Sequence, residues 1–210
     1  MQINMSYLTL AALWLLWCVL HSGMIAMGVT DFLKRRVGKS FRFYRLFFNL
    51  TAIATIIPVI LYARALHAPL LLRWEGFMIV IKIFLLVIGV ALFLAGAKHY
   101  DMLQFLGIRQ IKTGAAHGAL SASGGLQASG ILKITRHPWY LGAMMLLWTG
   151  DLTAATLIGN VILTLYLIVG TLLEERKLVL EFGEDYRRYQ KQVSMLIPFK
   201  HWRHNLEATR

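Results

Sequence analysis

The chain has 210 residues, of which 58% are hydrophobic and only 15% are charged. Its mean hydropathy of +0.60 is unusual for a soluble domain of this length. The formal net charge of +12 is compatible with nucleic-acid binding, but the apolar composition and the distribution of the charges argue against that class. These values predict an integral membrane protein.

Five apolar segments follow one another along the chain, and a helix needs about 20 residues to cross a bilayer. Three long segments lie in residues 1–97, and two shorter ones form a tight helical hairpin around Gly150 and Asp151. The predicted fold class is therefore all-α, a polytopic membrane protein with about five transmembrane helices. The segments are residues 8–28, 46–66, 77–97, 140–150 and 152–173.

Basic residues are concentrated in alternate connections between these segments. Residues 29–45 carry six Lys or Arg side chains, residues 98–136 carry five, and the tail after Leu173 carries eight. Cytoplasmic loops are enriched in basic residues, so the pattern predicts an N-terminus outside and a C-terminus in the cytoplasm. The same charges suit contact with the anionic lipid of a cell (inner) membrane, with no role for nucleic acid.

We expect a single membrane domain made of three parts. Residues 1–97 supply three transmembrane helices, residues 98–135 form a cytoplasmic connector, and residues 136–198 form a core with the hairpin and a tail helix. The connector is rich in Gly, Ala and Ser at 113–130, which predicts a flexible segment or a lid. Apolar residues of the tail recur at helical spacing, which indicates an amphipathic helix that either anchors the surface or roofs a pocket.

Ionisable side chains at the predicted cytoplasmic ends of the segments are the candidate functional residues, because burying such groups is costly. Arg136, His137 and Tyr140 surround a proline at the start of the fourth segment. Proline suits the first turn of a helix, so Arg136 and His137 are expected just before the helix. Glu174 and Glu175 end the fifth segment.

Three further candidates lie elsewhere: His21 near the end of the first segment, His99 after the third, and Arg109 in the connector. A hydrogen bond to a neighbouring backbone carbonyl would also explain His21, an interfacial position would explain His99, and contact with lipid phosphate would explain Arg136. A non-catalytic alternative is that His21, His99 and His137 converge on a haem or a metal ion. Against it, no two of these histidines have ligand spacing on one helix, and we expect no metal in the site.

Four stretches of this chain resemble the isoprenylcysteine carboxyl methyltransferase-like superfamily of integral membrane methyltransferases. They are "FLGIRQI" at 105–111, "SGILKITRHPWYLG" at 129–142, "EERKLVLEFGEDYRRYQKQV" at 174–193 and "VSMLIP" at 193–198. Within that superfamily they are most similar to the methanethiol S-methyltransferase branch and the NnrU-type membrane proteins. The resemblance is specific as a linked set and covers about residues 107–198.

The resemblance implies S-adenosyl-L-methionine as the cofactor, bound between the Arg136 segment and the Glu175 helix. Arg136 would then bind the methionyl carboxylate, since planar guanidinium groups bind carboxylates through two hydrogen bonds. Glu175, with Glu174 beside it, would accept hydrogen bonds from the ribose or the amino group. His137 and Tyr140 would hold the ribose or the adenine.

The implied reaction is methyl transfer to a small or lipophilic acceptor, with a thiol as the first choice and a carboxylate or a lipid headgroup as the alternative. A thiol attacks as the thiolate, so His21, His99 or Arg109 is expected to take its proton or stabilise its charge. The chain departs from the methanethiol branch at Met102 and Gln104, where that branch carries a His and an acidic residue. This departure leaves the identity of the acceptor open.

Overall fold

The computed structural model describes residues 5–99, 101–113 and 128–201. Within these ranges the chain is mostly helical and has two short strands, which confirms the all-α class. The middle of the predicted connector, 114–127, lies outside the described residues. The elements are α1 (Met5–Ile25), α2 (Met27–Val37), α3 (Tyr44–Ala65), β1 (Leu70–Leu72), α4 (Met78–Ala97), α5 (Met102–Phe105), α6 (Ile108–Thr113), α7 (Pro138–Leu147), β2 (Leu152–Thr153) and α8 (Ala154–Gln192).

Four stretches of the described chain are long and apolar enough to cross a membrane: α1, residues 27–65 with α3, α4, and α8. Large apolar side chains such as Leu16, Phe84 and Leu165 are more than half exposed on these helices, as expected of surfaces that face lipid. α7 is a shorter apolar helix of ten residues. An integral membrane protein is thus supported, whereas the count of five transmembrane helices stays a prediction.

The chain forms two compact units, and the first comprises Met1–Arg73, Met102–Ala119 and Asp151–Leu163. Its core is a cluster of buried side chains from α1, α3 and the start of α8: Leu10, Trp14, Val59 and Ala155. The strands β1 and β2 form a two-stranded antiparallel sheet beside the start of α8.

A close approach between the α5–α6 turn and the start of α3 shapes the other end of this unit. Gly107 has a φ of +84°, and a Cβ at this position would lie 2.9 Å from the backbone nitrogen of Leu46. Both the positive φ and the lack of space call for glycine here. The turn also carries two buried amide side chains, Gln104 and Gln110, next to α3.

The second unit comprises Trp74–Asp101, Leu120–Gly150 and Thr164–Arg210, and its centre is the packing of α4 against α7. The two helices touch at glycines: a Cβ on Gly142 would lie 2.9 Å from the carbonyl oxygen of Gly89. Trp139 of α7 donates a hydrogen bond from its indole nitrogen to the backbone oxygen of Phe93 (3.0 Å). Small residues at such crossings let two backbones come close together.

α8 continues well beyond residue 173, where the fifth apolar segment was predicted to end. Its path changes at Gly183, which has a non-helical conformation with φ +57° and ψ −129°. The tail residues Leu178, Tyr186, Tyr189 and Val193 form a buried cluster inside the second unit. The placement of the tail on a membrane surface and the three-part division at residues 97 and 135 stay predictions.

Replacing Gly142 with Ala is expected to lower the midpoint of thermal unfolding in detergent by several degrees, because the new methyl group would press on the backbone of α4. Overpacking of this kind typically costs about 1–3 kcal/mol. Gly23→Ala is the matched control, since a Cβ there would meet nothing within 4 Å. Equal midpoints for the two variants would contradict the close contact between α4 and α7.

Candidate functional site

Two segments of the second unit, residues 135–137 and 194–195, are joined by hydrogen bonds. The backbone nitrogens of Arg136 and His137 donate to the backbone oxygens of Ser194 (3.0 Å) and Met195 (3.2 Å). Pro138 then begins α7, with His137 as the preceding cap residue. As predicted from the proline, Arg136 and His137 lie just before the helix, and the tail segment holds their backbone in place.

Arg136 and Glu175 form a buried ion pair with two parallel hydrogen bonds. The guanidinium donates from Nε to Oε1 (2.9 Å) and from Nη2 to Oε2 (2.7 Å). Arg136 is 7% exposed and Glu175 is 5% exposed. Such a fork on a carboxylate is both directional and strong, so the start of α7 is fixed to α8 at this point.

The Glu175 carboxylate accepts five hydrogen bonds in all. Its donors are Arg136 Nε (2.9 Å) and Nη2 (2.7 Å), His137 Nε2 (2.7 Å), the Tyr186 hydroxyl (2.6 Å) and Gln190 Nε2 (2.6 Å). A buried carboxylate is stable as an anion only when its oxygens are satisfied in this way. Both oxygens of Glu175 are therefore used by the protein itself.

The remaining guanidinium nitrogen of Arg136 holds the end of α8. Nη1 donates to the backbone oxygen of Gln190 (3.0 Å) and to that of Val193. The carbonyl groups at a helix C-terminus have no partner within the helix and attract cations. Lys200 Nζ donates to the same Gln190 oxygen (2.7 Å), so two positive charges fix this helix end.

His137 is 1% exposed, and its two ring nitrogens have different surroundings. Because an ionised carboxylate can only accept, the contact with Glu175 places the proton of the neutral ring on Nε2. In that neutral form Nδ1 is an acceptor, and it has no hydrogen-bond partner among the described residues. A buried acceptor without a partner is rare in folded proteins and indicates a place for a ligand or a water molecule.

Glu174 and Tyr140 both lie close to the same imidazole. Glu174 Oε2 is 3.8 Å from His137 Nδ1, and the Glu174 side chain is 33% exposed. The Tyr140 ring meets the imidazole edge-on, at 5.6 Å between centroids and 89° between planes. The arrangement offers a lone pair, a carboxylate and an aromatic ring to one bound group, which suits a cation that carries N–H donors.

The structure thus brings together all five residues that were predicted to bind the cofactor. It gives them unequal surroundings, because Arg136 and Glu175 bind each other whereas His137 Nδ1 and Glu174 keep acceptor capacity. Whether the five residues bind a cofactor stays a prediction.

The three candidates for the acceptor side belong to different parts of the chain. His21 and Arg109 belong to the first unit. The His21 ring packs between Trp17 and Phe48, with centroids at 5.0 Å and 4.8 Å, and Arg109 is exposed on α6. His99 belongs to the second unit, where its Nδ1 is 3.3 Å from the Ser129 hydroxyl. Their catalytic roles stay predictions.

Tyr186 and Gln190 complete the network, and the sequence patterns did not point to either of them as a site residue. Helical spacing predicts Tyr186 on the apolar face of the tail helix, and it predicts no role for Gln190. The available signal was Gly183, since a glycine with positive φ commonly ends a helix and lets the chain turn. The change of direction at Gly183 allows Tyr186 and Gln190 to reach Glu175.

The convergence of histidines on a metal ion is not seen in the described ranges. Among residues 5–99, 101–113 and 128–201, no group of three or more His, Cys, Asp or Glu side chains could hold a metal ion.

Comparison with known proteins points to one family of membrane proteins. A model of the family described as NnrU protein matches residues 9–205, which is nearly the whole chain. No solved structure matches this chain.

The curated relatives that match are methanethiol S-methyltransferases. The chain is 38% identical to the protein of Pseudomonas deceptionensis over 102 residues, which is 48% of this chain and 37% of the relative. It is 34% identical to the protein of Mycobacterium tuberculosis over 105 residues, 50% of this chain and 41% of the relative. The chain is 44% identical to methanethiol S-methyltransferase 1 of Bradyrhizobium diazoefficiens over 71 residues, which is 33% of this chain and 25% of the relative. The chain therefore spans well under half the length of these relatives.

Replacing Glu175 with Gln is expected to destabilise the protein strongly, because Arg136 would be left as a buried charge without its anion. Breaking a buried pair from one side typically costs about 3–5 kcal/mol. Glu184→Gln is the matched control: the Glu184 side chain is 72% exposed and pairs with Arg187 on the surface (2.6 Å). Exposed pairs contribute less than about 1 kcal/mol. Thermal unfolding in the same detergent measures both, and similar midpoints would refute the structural role of Glu175.

Proposed function

The chain belongs to the NnrU family, within the isoprenylcysteine methyltransferase-like superfamily, and from this we propose that it is a membrane methyltransferase that acts on a small thiol with S-adenosylmethionine as the donor. The names of the methanethiol S-methyltransferases that it resembles support the reaction class. The structural observation that carries the proposal is the buried, open Nδ1 of His137 beside Glu174, held in place by the Arg136–Glu175 pair.

The chemistry of this site fits the cofactor. S-adenosylmethionine supplies, when bound, a methyl group on a cationic sulfonium, together with an amino group and ribose hydroxyls. His137 Nδ1 and the Glu174 carboxylate, 3.8 Å apart, are both acceptors. We assign them to the amino group, because an ammonium has three N–H donors and a positive charge to match Glu174.

Arg136 and Glu175 have a positioning role in this proposal, which differs from the direct contacts expected at first. If the Arg136 guanidinium bound the methionyl carboxylate, it would have to break its two buried hydrogen bonds to Glu175. The pair instead orients His137, because Glu175 fixes both the ring and the position of its proton. Tyr140, in contact with the imidazole, is assigned to the adenosyl group.

Exclusion of water is the second contribution of this site. His137 is almost fully buried, and Arg136, Glu175 and Tyr186 around it are also buried. Methyl transfer to sulfur is a displacement in which orientation of the two reactants and a dry site provide most of the rate increase. The network supports both, since neither Arg136 nor Glu175 could move without losing several hydrogen bonds.

A thiol acceptor must attack as the thiolate, so a residue of the chain has to receive the proton or stabilise the negative charge. Arg109 is our first candidate for stabilising the charge, and His99 and His21 are candidates for accepting the proton. The positive-inside pattern further supports a site that opens to the cytoplasm, with the N-terminus outside.

The purified protein in nanodiscs is expected to bind S-adenosylmethionine or its demethylated product, S-adenosylhomocysteine, in isothermal titration calorimetry. Glu174→Gln should weaken this binding about tenfold, because losing a hydrogen bond to a charged group costs about 1.5–3 kcal/mol. The control is again Glu184→Gln, which should bind as the wild type does. A folded wild-type sample that binds neither compound would overturn the proposal.

Transfer of a labelled methyl group to a panel of small thiols is expected to continue below the pKa of the free thiol if the protein helps to deprotonate it. Arg109→Gln, His99→Ala and His21→Ala are each compared with the wild type over a range of pH at saturating cofactor. We expect Arg109→Gln to lower turnover about tenfold or more while cofactor affinity changes little. If all three variants follow the wild-type profile, none of these residues activates the acceptor.

A further inference from the structure

A cavity of about 310 Å³ lies in the first unit. Its walls come from α2, from the start of α3, and from α5 and α6. The turn between α5 and α6 packs closely against α3 at Gly107. The volume falls at the lower end of the range of about 300–1,000 Å³ that is typical of small-molecule sites.

The charge of the cavity wall is positive. Lys34 and Arg45 line it, with Asp31 as the single acidic residue among the lining side chains. The surrounding segment 29–45 carries six basic residues, so the local potential favours an anion. Arg45 is also held in position, because its Nε donates to the backbone oxygen of Phe105 (3.3 Å).

Two amide side chains extend the polar wall inward. Gln104 is 6% exposed and Gln110 is 4% exposed, and both line the cavity. An amide NH2 group donates hydrogen bonds, and together with a Lys and an Arg it forms the kind of donor set that binds phosphate oxygens.

The rest of the wall is apolar and aromatic. Phe48 is buried, and the Phe41 and Tyr44 rings stack at 5.1 Å with an angle of 12° between their planes. Ile25, at the end of α1, completes this side. A ligand that fits both sides carries an anionic group beside an apolar body.

We propose that this cavity is a binding site for a phosphate ester, and that the headgroup of an anionic phospholipid occupies it. Basic pockets among membrane helices at the cytoplasmic face bind lipid headgroups in this way. A soluble phosphate ester has the same chemistry and is the other source to be distinguished. The inference is tested without methyl transfer, since none of the lining residues is assigned a role in that reaction.

Native mass spectrometry of the full chain, with equal amounts of phosphatidylglycerol and phosphatidylcholine in the detergent, tests the proposal. The wild type should retain phosphatidylglycerol in preference to phosphatidylcholine. The double variant Lys34→Gln/Arg45→Gln should lower the retained phosphatidylglycerol about tenfold. The matched control is Arg35→Gln/Arg36→Gln, which removes the same charge from residues that do not line the cavity and should retain the lipid as the wild type does.

Gln110→Leu provides a second variant, since it changes no charge and nearly conserves volume but removes a buried donor. It should also lower retention, and it replaces the double variant if that protein does not fold. Calorimetry with glycerol phosphate tests the soluble source. If the wild type binds glycerol phosphate, the cavity variants do not, and mass spectrometry shows no preference for phosphatidylglycerol, the ligand is a soluble ester. Equal losses in the cavity and control double variants, or no binding in either arm, would overturn the proposal.

Discussion

The ion pair between Arg136 and Glu175 is the interaction on which the second unit depends. The two residues are 39 positions apart and are both buried, so each charge would be unstable without the other. Once paired, Glu175 still has lone pairs for His137, Tyr186 and Gln190, and Arg136 still has donors for the carbonyl groups at the end of α8. One pair thereby connects the start of α7, the middle of α8 and the tail.

This constraint also determines what the site can do. His137 receives a fixed orientation and a fixed proton position from Glu175, and its other ring nitrogen is left as a buried acceptor beside Glu174. A protein that only needed stability would be better served by apolar side chains in the same volume. In the proposed function, the polar network is retained because it holds His137 ready for the cofactor.

The helical segments could largely be predicted from the sequence, because a long apolar run in a bilayer must form a helix to satisfy its backbone hydrogen bonds. The predicted segments 46–66 and 77–97 differ by at most two residues at each end from α3 and α4. Arg136, His137 and Glu175 were also grouped, and the structure brings the three side chains into contact. Their pairing was not foreseen, since a sequence shows which groups need partners but not whether a ligand or the protein supplies them. The roles of Tyr186 and Gln190 depend on the turn at Gly183, which helical spacing alone does not reveal.

The most direct test of this account is an experimental structure of the protein with S-adenosylhomocysteine bound. The account predicts that the Arg136–Glu175 pair stays intact and that the ligand's amino group lies within hydrogen-bonding distance of both His137 Nδ1 and Glu174. A structure in which Arg136 has left Glu175 to bind the carboxylate of the ligand, with no ligand atom near His137 Nδ1, would contradict it.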